Sequence, residues 1–216
     1  AYTIPTPTVE KMTLFDKDGD GDLDLATTHF KSGYQILTNP GDGNFTPDIS
    51  VAKPIAVYLD VAALDIDSDN DLDLIFGIAG MNILKFNDGN GGFSANTLGA
   101  DYIQISSTSV VSLIQPTTYD VEAFDADGDG DLDVAVGNQD QNALYINNGD
   151  GSVTIIDTFT SGASQRTHDF AAFDADGDGN LDIAVANTTS GFAAAGDELW
   201  LNDGSGNFTG GFAFGI

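Results

Sequence analysis

A nine-residue acidic string occurs four times in this chain, and no other feature restricts the fold as much. Asp16–Asp24 reads DKDGDGDLD, Asp65–Asp73 DIDSDNDLD, Asp125–Asp133 DADGDGDLD and Asp174–Asp182 DADGDGNLD, with starts 49, 60 and 49 residues apart. A second signature follows each: ILTNPGDGNF (Ile36–Phe45), LKFNDGNGGF (Leu84–Phe93), LYINNGDGSV (Leu144–Val153) and LWLNDGSGNF (Leu199–Phe208). Its asparagine lies 22 or 23 residues after the first aspartate of the string in the first three units and 28 in the fourth, where Gly191–Gly196 is inserted. The wider middle spacing comes from an extra stretch around Asp101–Gln115. Paired landmarks in a constant order define four repeats.

Each repeat reads as β. Short apolar runs (Met12–Phe15, Val61–Leu64, Val121–Phe124, Phe170–Phe173) precede the acidic strings, and LDLATT, LDLIFG, LDVAVG and LDIAVA follow them. These runs are too short for helices and are bounded by Gly, Asn or Thr. A third segment opens the second signature, and a fourth starts at Phe45, Phe93, Val153 or Phe208. Four short antiparallel strands per repeat is the pattern of a propeller blade. The expected fold is therefore all-β, a β-propeller of four four-stranded antiparallel blades. It spans 1–216 as a single domain, with repeats at approximately 8–53, 54–113, 114–164 and 165–216. Four blades closing on themselves is the favoured arrangement, and part of a larger seven- or eight-bladed propeller is the alternative. Self-association is expected if four blades do not close.

Charge narrows the partners. There are 34 acidic and 6 basic residues, a net charge of -28, which excludes nucleic acid and disfavours an anionic membrane surface. Of the acids, 31 are Asp and only 3 are Glu (Glu10, Glu122, Glu198), and the chain carries 14 Phe, so it is not a disordered acidic tail. No cysteine is present, which removes thiolate chemistry, and no run of 18 apolar residues exists, so no membrane insertion by a helix is expected. The chain opens on Ala1, as expected of a mature product or of a piece of something longer. The only imidazoles are His29, which ends the second segment of repeat one, and His168, which precedes the inner strand of repeat four; both read as polar loop residues. With no G-x-S-x-G, H-E-x-x-H or phosphate-cradling loop, no catalytic residues are expected and the chain is read as not an enzyme.

The acidic strings demand a cation. Two carboxylates ~5 Å apart repel by ~3 kcal/mol at an effective dielectric near 20. D-x-D-x-D-G-x-x-D offers side-chain oxygens at positions 1, 3, 5 and 9, with position 7 spaced to offer its carbonyl; such all-oxygen ligation suits Ca²⁺. Gly21, Gly130 and Gly179 at position 6 permit positive φ, and Asn70 is the next best residue there. EF-hands are excluded, because the twelfth position holds Thr27, Phe76, Val136 and Val185 in place of an acid.

The acidic loop between two β runs, followed by the N-D-G-x-G-x-F turn, resembles the FG-GAP/VCBS repeats of integrin-α-like β-propellers over essentially the whole chain. The resemblance implies that each loop joins the innermost strand of a blade to the second and holds one Ca²⁺, four ions in all. It implies as ligands Asp16, Asp18, Asp20, Asp22 (carbonyl) and Asp24; then Asp65, Asp67, Asp69, Asp71 (carbonyl) and Asp73. The third loop has Asp125, Asp127, Asp129, Asp131 (carbonyl) and Asp133, and the fourth Asp174, Asp176, Asp178, Asn180 (carbonyl) and Asp182. Family propellers usually have seven blades, and this chain has four repeats.

The resemblance further implies a non-catalytic, calcium-stabilised binding or adhesion module, secreted or at the cell surface. Its protein or glycan ligand would meet the face opposite the calcium loops. An accessory propeller of a larger secreted enzyme and a small propeller lectin are the alternatives. That face would be built by residues 29–34, 78–82, 138–142 and 187–197, with 50–58, 98–119 and 161–168 between blades. Trp200, aligned with Leu37, Lys85 and Tyr145, reads as blade packing.

One further set stands out. Five residues before each loop stand Lys11, Asp60, Asp120 and Asp169, positions expected to crowd around the mouth of a central channel. Asp60, Asp120 and Asp169, with His168 beside them, are the candidate binding residues for a cation or a ligand amine. The alternatives are hydrogen bonds to strand-start amides and neutralisation by Lys11.

Overall fold

The computed structural model describes residues 8–30, 32–50, 57–80, 82–95, 117–139, 141–156, 165–189 and 196–214. Blade 1 comprises β1 (Val9–Phe15), β2 (Asp24–His29), β3 (Gly33–Thr38) and β4 (Thr46–Ser50). Blade 2 comprises β5 (Tyr58–Leu64), β6 (Asp73–Ile78), β7 (Ile83–Asn87) and β8 (Phe93–Ala95). Blade 3 comprises β9 (Thr118–Phe124), β10 (Asp133–Asn138), β11 (Ala143–Asn147) and β12 (Val153–Ile156). Blade 4 comprises β13 (Gln165–Phe173), β14 (Asp182–Thr189), β15 (Asp197–Asn202) and β16 (Phe208–Phe214). Each blade is a four-stranded antiparallel meander in chain order, and the fold is an all-β propeller of four such blades.

The register explains the repeats. Phe15 faces Asp24, Leu64 faces Asp73, Phe124 faces Asp133 and Phe173 faces Asp182. Every acidic string thus closes the hairpin between an inner strand and its neighbour. The inner strands start earlier than their apolar runs, because residues such as Asp60 and Asp120 also pair across the hairpin. A register irregularity falls beside that position in every blade, at Val9/Met12, Tyr58/Asp60, Gly137/Asn138 (opposite Asp120 and Thr118) and Thr167/Asp169. Such bulges re-aim side chains.

Three apolar layers hold successive blades together. Phe15 and Ile36 of blade 1 pack on Tyr58, Val61 and Phe76 of blade 2. Leu64, Ile66 and Ile75 of blade 2 pack on Val121, Val136 and Tyr145 of blade 3. Phe124, Ala126 and Leu144 of blade 3 pack on Phe170, Val185 and Phe208 of blade 4, with Trp200 against the same layer. Each fully buried side chain of this kind stabilises by ~1.5–3 kcal/mol. Among the described residues no such layer joins blade 4 to blade 1.

Two sequence expectations change. His29 ends β2, where the second segment of repeat one was expected to end, but it is buried and no polar loop residue, with its Nε2 3.0 Å from Thr27 Oγ1. His168 does not precede the inner strand but lies within β13. The stretch around Asp101–Gln115 and nearly all of the Gly191–Gly196 insertion lie outside the described residues, as do most of the connections expected between blades.

Candidate metal loops and the channel mouth

In each loop the structure gathers positions 1, 3 and 9. Carboxylate oxygens lie within 4.8 Å of one another in Asp16, Asp18 and Asp24; in Asp65, Asp67 and Asp73; in Asp125, Asp127 and Asp133; and in Asp174, Asp176 and Asp182. Local hydrogen bonds shape these triads. In the first, third and fourth loops the first carboxylate accepts the amides of positions 4 and 6, as Asp16 does from Gly19 (2.8 Å) and Gly21 (2.9 Å); in the second, Asp65 accepts those of Asp69 (3.2 Å) and Asn70 (2.9 Å). The turn needs positive φ at positions 4 and 6, supplied by glycine in three loops and by Ser68 (φ 57°) and Asn70 (φ 72°) in the second.

Position 5 lies outside the triads. Asp20, Asp69, Asp129 and Asp178 each accept the amide of position 7 at 2.8–2.9 Å. The position-7 side chains lean away, onto the glycine of the following turn. A Cβ on Gly41, Gly89, Gly149 or Gly204 would strike Asp22, Asp71, Asp131 or Asn180, respectively. This leaves position 7 only a backbone oxygen to offer.

Position 9 has a second task that its motif does not reveal. Asp24 accepts the amides of Lys17 (3.0 Å) and Asn39 (2.7 Å). Asp73 does the same for Ile66 and Asn87, Asp133 for Ala126 and Asn147, and Asp182 for Ala175 and Asn202. These wholly buried carboxylates therefore latch the acidic loop to the start of the second signature, which is why the two motifs travel together. Sequence reasoning missed the asparagines. The amide of Asn87 also donates to Lys17 O of the preceding blade, that of Asn147 to Asp65 O, and that of Asn202 to Ala126 O. Their recurrence at one place in the second signature was the available signal.

The triads suit a hard cation. All donors are oxygens, and Asp18 Oδ1 and Asp67 Oδ1 are buried with no hydrogen-bond partner, a costly state that a cation relieves. Burial pushes the Asp73 carboxyl up to about 7 and that of Asp133 to about 6, against the pull of their backbone hydrogen bonds. Burial and neighbouring carboxylates also raise Asp67 and Asp127. The first loop differs from the others: its second residue is Lys17, buried, with Nζ 3.5 Å from Asp18 Oδ2 and 3.2 Å from Asp48 Oδ2.

At the other end of the inner strands, about 16 Å from the loops for five extended residues, the mouth residues converge. They border an open cavity of about 370 Å³ walled by β1, β5 and β9. Lys11 Nζ lies 2.9 Å from Asp120, 3.2 Å from Asp169 and 4.0 Å from Asp60. Burial works against the Lys11 charge, but Asp120 and Asp60 outweigh it and raise its pKa. Burial, reinforced by Asp120, raises the Asp60 carboxyl. Both buried acids also accept amides: Asp60 Oδ2 that of Val121, and Asp120 Oδ2 that of Phe170, each at 2.9 Å. His168 is exposed, stacks on Tyr119 at 6.4 Å, and is not among the cavity walls.

The acidic loops and blades place the chain among repeat β-propellers, and comparison with known proteins agrees. The chain belongs to the FG-GAP-like repeat family, whose pattern matches residues 16–76 and 125–185, more than half of the chain and all four loops. A search of curated proteins gives no match. Among solved structures, a lectin of Agrocybe aegerita, described for specific recognition of non-reducing terminal N-acetylglucosamine, matches at TM-score 0.59 and 24% identity over 91% of this chain. The Tc holotoxin pore of Photorhabdus luminescens matches at TM-score 0.49 and 19% identity over 99% of it. The chain spans about half (49%) of the lectin chain and 10% of the toxin chain.

Proposed function

We propose that the four repeats form one domain, a non-catalytic binding module stabilised by one calcium ion in each loop and working outside the cell. The observation carrying this reading is the fourfold triad of aspartates, with buried, unpartnered carboxylate oxygens in the first two loops. The ion's ligands are the triad carboxylates, the position-7 carbonyl, and the position-5 carboxylates (Asp20, Asp69, Asp129, Asp178) once these release their amide. Kd values of ~10⁻⁴ to 10⁻³ M are typical of extracellular calcium modules. Calcium so held orders the hairpin ends and leaves ligand recognition to the opposite face.

Glycans are the first ligand class to test, since a propeller lectin shares the fold, with protein ligands second. The test is a glycan array and a protein-binding screen in calcium and in EGTA. Calcium-dependent retention of an unmodified ligand is expected. Chemical turnover of the ligand, or binding and melting indifferent to EGTA, would overturn the reading.

A further inference from the structure

The repeated blade contacts stop at both ends of the chain, and the two ends match. Four residues before each loop, Val61, Val121 and Phe170 are 4–5% exposed, each packed on the preceding blade. Their counterpart in blade 1 is Met12, 60% exposed, and Leu14 on the same face of β1 is 55% exposed. One residue before each loop, Phe15, Leu64 and Phe124 are buried under the following blade, whereas Phe173 of blade 4 is 44% exposed.

The backbone-directed polar contacts change at the same place. Asp60 and Asp120 each accept an amide of the next blade, at Val121 and Phe170; the position equivalent to those amides in blade 1 is Met12, and Asp169, its side chain 65% exposed, instead accepts the Lys11 ammonium of blade 1 at 3.2 Å. Asn87, Asn147 and Asn202 each donate to the preceding blade, while Asn39 donates to Leu23 O of its own blade. Gly77 and Gly137 have no room for a Cβ against the next blade, yet the equivalent position in blade 4 is the exposed Ala186. Blade 4 therefore presents the face that elsewhere receives a following blade, and blade 1 the face that receives a preceding one.

We propose that the occupant is a second copy of this chain: blade 4 of each copy packs head to tail on blade 1 of the other, and the two copies close one ring of eight blades. The interface continues one that the chain already makes three times. A head-to-tail contact either closes a ring or propagates. Two whole chains give eight blades, within the usual four to eight, whereas three would exceed it. The chain opens enough for Asp169 to release Lys11 of its own copy and accept the Met12 amide of the second, and Phe173 covers Met12 and Leu14.

The test is the solution mass of the chain by light scattering over a range of concentrations. Calcium and about 0.15 M ionic strength, where the Debye length is about 8 Å, limit repulsion between two chains of net charge -28. The expected mass is twice the 22.5 kDa of one chain. Phe173→Asp and Met12→Asp should each give the single-chain mass, with Leu14→Lys as an independent variant. Circular dichroism should be unchanged, because these side chains are exposed in the single chain. Mixing Phe173→Asp with Met12→Asp should restore a two-chain species, since one interface then joins two unaltered faces. Wild-type chain at single mass throughout, or Phe173→Asp remaining at double mass, would overturn the proposal.

Discussion

Asp133 accepts the backbone N–H of Asn147 with one carboxylate oxygen, at 2.8 Å, and that of Ala126 with the other, at 2.7 Å. The same bridge recurs in every blade, so the ninth loop residue is a structural latch as well as a candidate metal ligand. Asp133→Ala should destabilise the chain by about 3 kcal/mol or more, because two amides lose bonds to a buried carboxylate. Denaturant unfolding in calcium and in EGTA should show a large cost in both. A cost that vanishes in EGTA would show that the residue acts through the ion alone.

Position 5 should behave in the opposite way. Asp20 and Asp129 are exposed, and each holds one local amide. Asp20→Ala or Asp129→Ala should lower the melting temperature in calcium and have little effect in EGTA, since the repulsion each relieves offsets the bond it loses. Binding at the opposite face should persist. Equal costs in both conditions would remove position 5 from the ligand set.

The first loop should be the weakest site. Lys17 already places an ammonium 3.5 Å from Asp18, where the other loops have Ile66, Ala126 and Ala175. Lys17→Met keeps the buried stem and removes the charge, so it should tighten calcium binding at that loop several-fold. Site-resolved NMR titration of the loop amides is the measurement, and an unchanged midpoint for the first loop would contradict it.

The channel mouth makes a pH prediction. Burial and Asp120 push the Asp60 carboxyl up to about 8 in the folded chain, above its ordinary value. A raised folded-state pKa means that this contribution to stability is complete below the ordinary carboxylate range and is lost as pH rises through about 8. Melting should be followed from about pH 6 to 9 in saturating calcium, which keeps the loop carboxylates ionised. Wild type should lose stability across that window, and Asp60→Asn should flatten the curve. Parallel curves would show that Asp60 does not titrate there.

The blades and their loops were legible because both depend on local sequence: alternate aspartates, glycines at positive φ and short apolar runs. What stayed hidden depends on contacts between repeats. Phe15, Leu64, Phe124 and Phe173 look equivalent as letters, and only packing distinguishes the last, which has no following blade against it. The latch at position 9 was invisible because a carboxylate that binds amides and one that binds a cation occupy the same place in the motif. Position 5 was assigned as a ligand by spacing, yet its carboxylate bonds the position-7 amide. The mouth residues were found from their common offset, but that Lys11 fills the space between Asp120 and Asp169 follows from the length of its side chain across the channel.

Calcium uptake by the whole chain tests the reading most directly. At ~1 mM calcium, sites with Kd of ~10⁻⁴ to 10⁻³ M each add roughly 0.4–1.4 kcal/mol, so four add roughly 2–6 of the roughly 5–15 kcal/mol typical of a domain. Equilibrium dialysis of the chelator-stripped chain against increasing calcium should reach four ions per chain, one for each aspartate triad. Saturation at fewer than one ion per chain would contradict calcium as the element that organises these loops.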